Sequence, residues 1–489
     1  MNGNLFTPLR NGQVLEEEKI PVLGTVNAFT EYLGLAMAEG FRLAAYFGRR
    51  IDGQVKLYAL LADDEDGRLW MGAAYASESF PSLASRFPQS HLFEREIHEQ
   101  FGLLPVGHPW LKSVRLGSPD ATSFFRMDGD EVHEVAVGPV HAGIIEPGHF
   151  RFQCHGENVF HLEIQLGYQH RGVESLLETL PFSRVPFVVD SIAGDTTLGH
   201  SLAWAMGWES LGGARVSARA EALRAVALEL ERLANHTGDL GAMSGDVAFL
   251  PSASYFGRLR GDFLNMLLEL TGARLGRGFL RPGGVTDDLP AGMAEEFGKR
   301  LKVLRRDLRD AAGLFFETPS VSARLEGTGI LTPETCRDLG LVGPVARACG
   351  LARDVRQDHP FGYYRFNHPP TVTVEGGDVY ARAMVRWLEI ERSLDFVSSQ
   401  IESLPGGELR GECGPLAPDR VGVSLVEGWR GEILHVVMTD RDGKIARYKV
   451  KDPSFHNWTG LSQSLRGQSV SDFPLINKSF NLSYAGHDL

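Results

Sequence analysis

Near residue 168 of this 489-residue chain the hydrophobic pattern changes period, and that change decides the fold class. Before it, apolar and polar residues alternate in short segments, as they do in half-buried strands. QVKLYALLAD and RLWMGAAYA predict two strands joined by an Asp-rich turn at 63–67. After a polar, loop-like stretch at 117–130, EVHEVAVGPV, HFRFQCHG and NVFHLEIQLGY predict three more. Beyond them apolar residues recur at the helical spacing. Residues 217–236 put Leu223, Val226, Ala227, Leu230, Leu233 and Ala234 on one face, the stripe of a core-facing helix. Further helices are predicted over 255–270, 291–316 and 379–401, the last with Asp378 placed to cap it. VGVSLVEG, GEILHVVMTD and IARYKV then predict a small antiparallel sheet.

At the N-terminus, residues 1–25 read as a weakly structured lead. Residues 26–50 read as a helix with Phe29, Tyr32, Leu33, Met37 and Phe41 on its period, and 91–103 as a short amphipathic helix. The whole is an α+β chain in two domains. Residues 1–120 form a compact α/β unit, and 121–489 form a mainly helical core with small antiparallel sheets.

Composition excludes several classes. A net charge of -13 offers no basic face for nucleic acid. No stretch reaches the roughly 20 apolar residues of a spanning helix, and the first residues lack a basic region followed by an apolar core. Membrane association is therefore expected through partners, from the cytoplasmic side. Cys154, Cys336, Cys349 and Cys413 lie far apart with no Cys-x-x-Cys pair, so they read as reduced thiols and no metal is assigned. No G-x-G-x-x-G opens a helix after a strand, and no nucleophile elbow or phosphate loop is found.

Several segments are more particular than composition. FEREIHEQFGLLPVGHPWL (93–111) resembles the smaller peripheral-arm subunit of complex I, the 30 kDa type, and the equivalent domain of formate-hydrogenlyase-type hydrogenases. GPVHAGIIEPGHFRF (138–152), LGYQHRGVESLLE (166–178), NHTGDLGAM (235–243) and RPGGV (281–285) resemble motifs of the nickel-iron hydrogenase large subunit and its complex I relative, the 49 kDa type. So do GPVARACGLARDVRQDHPFGYY (343–364), GDVYARAMVRWLEIERSL (377–394) and EGWRGEILHVVMTD (427–440). Both modules in one chain is the arrangement of the energy-converting group-4 hydrogenases. The resemblance implies an iron–sulfur small subunit carrying a [4Fe–4S] cluster, and a membrane arm of antiporter-like and quinone-channel-like subunits.

The resemblance also implies which residues matter and where this chain departs. Hydrogenases hold nickel and iron with two Cys-x-x-Cys pairs, since soft sulfur suits those metals. With His200 and Ser201 fixing the register, Ala193 and Thr196 stand in the first pair, and Ser483 and Gly486 in the second. Ala and Gly cannot coordinate, so hydrogen chemistry is not expected and the chain binds no cofactor of its own. In the complex I reading the vacated cleft takes a quinone headgroup. Asp239 and His236 match the acid motif there, with His141 or His149, on either side of Glu146, as the loop histidine; a His can switch near neutral pH. The same residues also suit ion pairs between helices and satisfied structural histidines. The family's quinone-contacting tyrosine falls near Phe187 or Asp190, and its cluster-side histidine at Gly276, so neither is kept.

His170, Arg171 and Glu174 keep a motif whose arginine faces the partner's cluster, or alternatively makes a salt bridge at a helix start around Gly172. Arg347, Arg353, Asp354, Arg356, Asp358 and His359 form a charged run, ordinarily a solvated face, which in the family links the pocket to the membrane arm. Arg281 before its Pro-Gly-Gly reads as architectural. Three functions follow: an electron-transfer subunit of a complex I-like oxidoreductase, a non-catalytic scaffold of the same complex, or an active hydrogenase.

Overall fold

The computed structural model describes residues 5–115, 124–140 and 146–489. The first module rests on three antiparallel strands, Arg42–Ile51, Gln54–Asp63 and Arg68–Ala76. The last two are the predicted pair, in register from Val55↔Ala76 to Asp63↔Arg68 around the expected turn. The first of the three corrects the sequence reading. The helix predicted over 26–50 stops at Ala38, as Val26–Ala38, capped by Thr25, whose Oγ1 accepts from Ala28 N at 3.2 Å. Gly40 then takes a φ of +100°, which a side chain would resist, and the chain turns into a strand. Phe29, Leu33 and Met37 do share the buried helix face. The strand escaped notice because Arg42 to Gly48 are all buried, and a continuously buried run shows no alternation.

The lead over 1–25 is corrected too. Thr7–Leu9 pairs with Arg68–Ala76, Val22–Leu23 runs parallel to that same strand, and Val14–Glu16 crosses over to pair with Arg420–Gly428 in the second module. Strands of two or three residues carry no readable period. Only pairing defines them.

In the second module the strands Val132–Val137, His149–His155 and Asn158–Gln165 form the predicted sheet. The boundary near residue 120 falls outside the described residues. The central helix, Ala218–Asp246, starts at Ser217, whose Oγ accepts from Ala220 N at 3.1 Å. It packs against the helices Leu250–Thr271 and Val379–Glu402. Asp378 caps the latter as expected, accepting from Ala381 N at 2.7 Å. A helix the sequence reading missed, Thr197–Gly212, lies across the C-terminal sheet. Nearly every one of its residues is buried, and a helix enclosed on all sides has no polar face to reveal its period. That sheet joins Ile445–Lys451, Gly431–Thr439, Arg420–Gly428 and Val14–Glu16. The chain ends in the short helix Tyr484–Asp488, and Leu489 O accepts from Arg171 N and Gly172 N.

Candidate functional site

Of the positions expected to match the two cysteine pairs, Ala193 and Thr196 lie just before Thr197–Gly212, and Ser483 and Gly486 lie in the chain's last residues. Arg430 links the two segments. Its guanidinium grips the Asp195 carboxylate with both Nη atoms (2.5 and 2.7 Å), donates to Thr196 Oγ1 at 3.0 Å, and reaches Asn481 O through Nε. It lies 3.9 Å over the Trp429 ring. Such a bidentate pair is geometrically specific. Ala193 is buried, and its carbonyl accepts from Thr196 N. Ser483 spends its hydroxyl as a helix cap, accepting from Gly486 N at 2.9 Å. A Cβ on Gly486 would fall 2.6 Å from Asp452 Cγ, so a side chain there must displace that carboxylate. Asp452 in turn pairs with His200 Nε2 at 2.9 Å, and the contact runs on through His435 to Tyr448. An arginine, two hydroxyls already committed, a methyl and a glycine are not a donor set for nickel and iron. The residues do not fit that centre.

Glu231 sits beside this cluster. Its carboxyl oxygens face Leu198 N (2.8 Å) and Gly199 N (3.3 Å) in the first turn of Thr197–Gly212. Burial, helped by the nearby Asp195 charge, outweighs those two bonds and pushes its pKa up to about 8.

His236 and Asp239 share the central helix but not a partner. His236 Nε2 meets Glu389 at 2.9 Å, while its Nδ1 is buried with no partner among the described residues. Burial holds its pKa below the ordinary histidine value despite Glu389. Asp239 takes Arg386 Nε at 2.7 Å and Asn481 Nδ2 at 2.6 Å. His141 lies outside the described residues. His149 is buried, with Nδ1 3.1 Å from Gly138 O. Neither the cavity of about 1000 Å³ beside Trp208 and Cys413 nor that of about 280 Å³ beside Trp458 is lined by His236 or Asp239.

The charged run at 347–359 is not the solvated face that its composition suggests. Arg347, Asp354, Arg356 and His359 are buried, and Arg353 and Asp358 are partly so. The reason lies in partners from distant elements. Arg347 bridges Glu389 and Glu427, each at 2.8 Å, and Arg356 joins Asp354 (2.6 Å) to Glu229 (3.0 Å). Arg232 closes the ring against Glu229 and Glu389. Four carboxyls thus face three guanidiniums and His236. Burial pushes the surplus carboxyl, Glu427, up to about 7 against the pull of Arg347. Asp358 accepts from Asp354 N at 2.8 Å, and burial raises its pKa to about 6. Toward the first module, Arg353 and His359 reach Asp64, which pairs with Arg42, which pairs with Glu432. The sequence reading names Asp354 and Asp358 in the charged run but assigns no role to Glu229, Glu389, Glu427, Asp64, Glu432 or Arg430; of these only Glu427, Arg430, Glu432 and Glu389 have a trace, inside the motifs EGWRGE and VRWLEI.

His170 and Arg171 are exposed, and the Arg171 guanidinium is held by the Ser191 and Ile192 carbonyls at 2.7 and 3.0 Å. Glu174 points the other way, buried against Arg447 and Lys449. Burial alone would raise its pKa, but Lys449, Arg447 and Arg115 hold it far below the carboxylate range. Phe187 is exposed, while Asp190 accepts from Ser201 Oγ and Gly278 N. Gly276, at φ +69°, takes a conformation that side chains resist, and a Cβ there would meet Leu198 at 2.7 Å, so a histidine would have to displace that leucine.

Comparison with known proteins agrees with this two-module build. The model of the respiratory-chain NADH dehydrogenase 30 Kd subunit matches residues 42–125, and that of the 49 Kd subunit matches 246–420 and 412–488. Formate hydrogenlyase subunit 5 of Escherichia coli (strain K12) is 32% identical, over 96% of this chain and 89% of that protein. The chain belongs to this fused hydrogenase and complex I subunit family. Hydrogenase-4 component G of the same organism is 31% identical, over 90% of this chain and 82% of its own length. NADH-quinone oxidoreductase subunit 4 of Thermus thermophilus is 30% identical, over 72% of this chain and 92% of its own length. A chain from the membrane-bound sulfane sulfur reductase, an archaeal respiratory membrane complex, superposes with a TM-score of 0.69 at 25% identity, covering 75% of this chain and all of that one. Family membership makes this an oxidoreductase-type, complex I-like subunit. Among the described residues no helix is long and apolar enough to cross a membrane.

Proposed function

We propose that this chain frames the redox end of a membrane-associated, complex I-like oxidoreductase and contributes charge there in place of a nickel–iron centre. The observation that carries this is the buried ring of Glu229, Asp354, Glu389 and Glu427 around Arg232, Arg347 and Arg356, with one carboxyl more than it has guanidiniums. A charge arriving beside such a ring is poorly screened, so the ring answers by taking up or releasing a proton. In this reading an iron–sulfur small subunit sets its [4Fe–4S] cluster against the exposed His170 and Arg171, where fixed positive charge favours the reduced state. Antiporter-like and quinone-channel-like membrane subunits hold the chain at the cytoplasmic side of the membrane, and a quinone at the vacated cleft accepts the electrons.

A scaffold without redox chemistry is the second reading. It is favoured by the enclosure of His236 and Asp239, which are tied to Glu389, Arg386 and Asn481.

Activity of the assembled complex separates the two. If the chain works by charge, Glu427→Gln assembles normally, lowers quinone reduction at least tenfold and flattens its pH profile near neutrality; Asp239→Ala lowers turnover as well. Unchanged turnover in both, with assembly lost in Arg171→Ala, makes the chain a scaffold. Nickel at one equivalent in the purified complex would reject both.

A further inference from the structure

Where the two modules meet, a cavity of about 280 Å³ opens between the helix His91–Phe101 of the first and the helix Ser454–Ser464 of the second. In a chain of net charge -13 its lining is unexpectedly basic. Arg95, Lys112 and Arg466 line it, with Glu163 as the only carboxylate among the described residues. Glu163 is already committed, accepting from Lys112 Nζ at 2.5 Å and from Phe125 N at 2.8 Å. Arg95 has no carboxylate within ion-pair distance among the described residues. Its Nε and Nη2 donate to the carbonyls of Lys112 and Ser113, and Nη1 makes no bond among the described residues. Arg466 is exposed and makes no ion pair among the described residues.

The other walls are aromatic and imidazole. Trp110 stacks on His161, with centroids 6.1 Å apart and planes 18° apart, and Trp458 lines the opposite module's side. His161 Nε2 is buried without a partner among the described residues. Burial keeps His91 neutral, its pKa down to about 3, so near pH 7 it adds hydrogen-bonding capacity and no charge. A guanidinium without a carboxylate partner among the described residues, a second at the rim, an orphaned ring nitrogen and flat apolar walls are the elements of a small-molecule site. A buried polar group without a partner costs free energy that a ligand would recover.

We propose that this cavity binds a small organic anion, its phosphate or carboxylate end held by Arg95 and Arg466 and its planar body lying between Trp110 and Trp458. The site does not depend on the redox assignment. It also gives the ligand reach, because His487 lines the cavity from the terminal helix Tyr484–Asp488, whose Ser483 cap and Gly486 close the former metal position. An occupant therefore touches both modules and the segment that seals that cluster.

Phenyl phosphate and inorganic phosphate are suitable probes, titrated into the full chain with thermal denaturation and tryptophan fluorescence as readouts. Phenyl phosphate is expected to raise Tm saturably, quench the tryptophans, and bind at least tenfold more tightly than inorganic phosphate. Arg466→Glu, an exposed change that leaves the fold alone, weakens it at least tenfold, and Arg95→Gln does so where that variant folds. Arg306→Gln, on a distant exposed helix face, changes nothing. A linear response to ionic strength, equal affinity for both probes, or binding indifferent to Arg466→Glu would each overturn the proposal.

Discussion

Around Tyr46 the first module packs Phe29 and Phe80, with ring centroids about 6 Å apart, whereas around Arg347 the second module packs Glu389, Glu427, Asp354 and Arg356 at comparable depth. Apolar burial is non-directional, so a core like the first tolerates many sequences of similar volume. Buried ion pairs are different. Each charge loses its water on folding, and only correctly placed partners offset that loss. The second arrangement therefore costs more to build and is less forgiving of change. Even the seam between the modules follows the second pattern, with Lys449 and Arg115 both on Glu96, and Lys451 and Arg42 both on Glu432.

The largest test of this contrast is Arg347→Gln. It strands Glu389 and Glu427 without their shared cation, and a loss of about 3–5 kcal/mol is expected in urea unfolding. A loss under about 1 kcal/mol, the scale of an exposed pair, would mean that the ring contributes no more than surface charge does.

An effect of similar total size, but spread over several pH units at a gentle slope, is expected from pH. Glu231 is raised from an ordinary 4.5 to about 8, chiefly by burial. Between those values the folded chain keeps a proton that the unfolded chain has released. This group's contribution is therefore fully present below its unfolded pKa and is lost as pH rises toward 8. Relative to Glu231→Gln, the natural chain should lose about 1.4 kcal/mol per pH unit across that window. Parallel stability curves for the two would show that Glu231 is ionised throughout.

The smallest effect lies in the apolar core. Tyr46 Oη is buried with no partner among the described residues. Tyr46→Phe should leave stability unchanged or raise it by up to about 1 kcal/mol. A clear loss would reveal a polar contact there and blur the distinction between the modules.

Legibility in the sequence follows the same divide. The strands Gln54–Asp63 and Arg68–Ala76, and the helices begun by Ser217 and Asp378, announce themselves because period and cap are local properties. Arg42–Ile51 and Thr197–Gly212 do not, because burial on every side erases the contrast that makes a period visible. The charged run at 347–359 was legible as charge but not as interior. Its partners Glu229, Glu389 and Glu427 lie at least 30 residues away on either side, and nothing local says that they meet it.

What the sequence determined by itself is the family, through motifs in fixed order, and the absence of any Cys-x-x-Cys pair, since residue identity alone settles which atoms can bind a soft metal. The tertiary structure alone decided what gathers around Arg430. Arg430 comes from the hairpin turn between Arg420–Gly428 and Gly431–Thr439, while Asp195 and Asn481 come from loops more than two hundred residues apart. Electrostatic complementarity depends on distance and burial, and folding sets both.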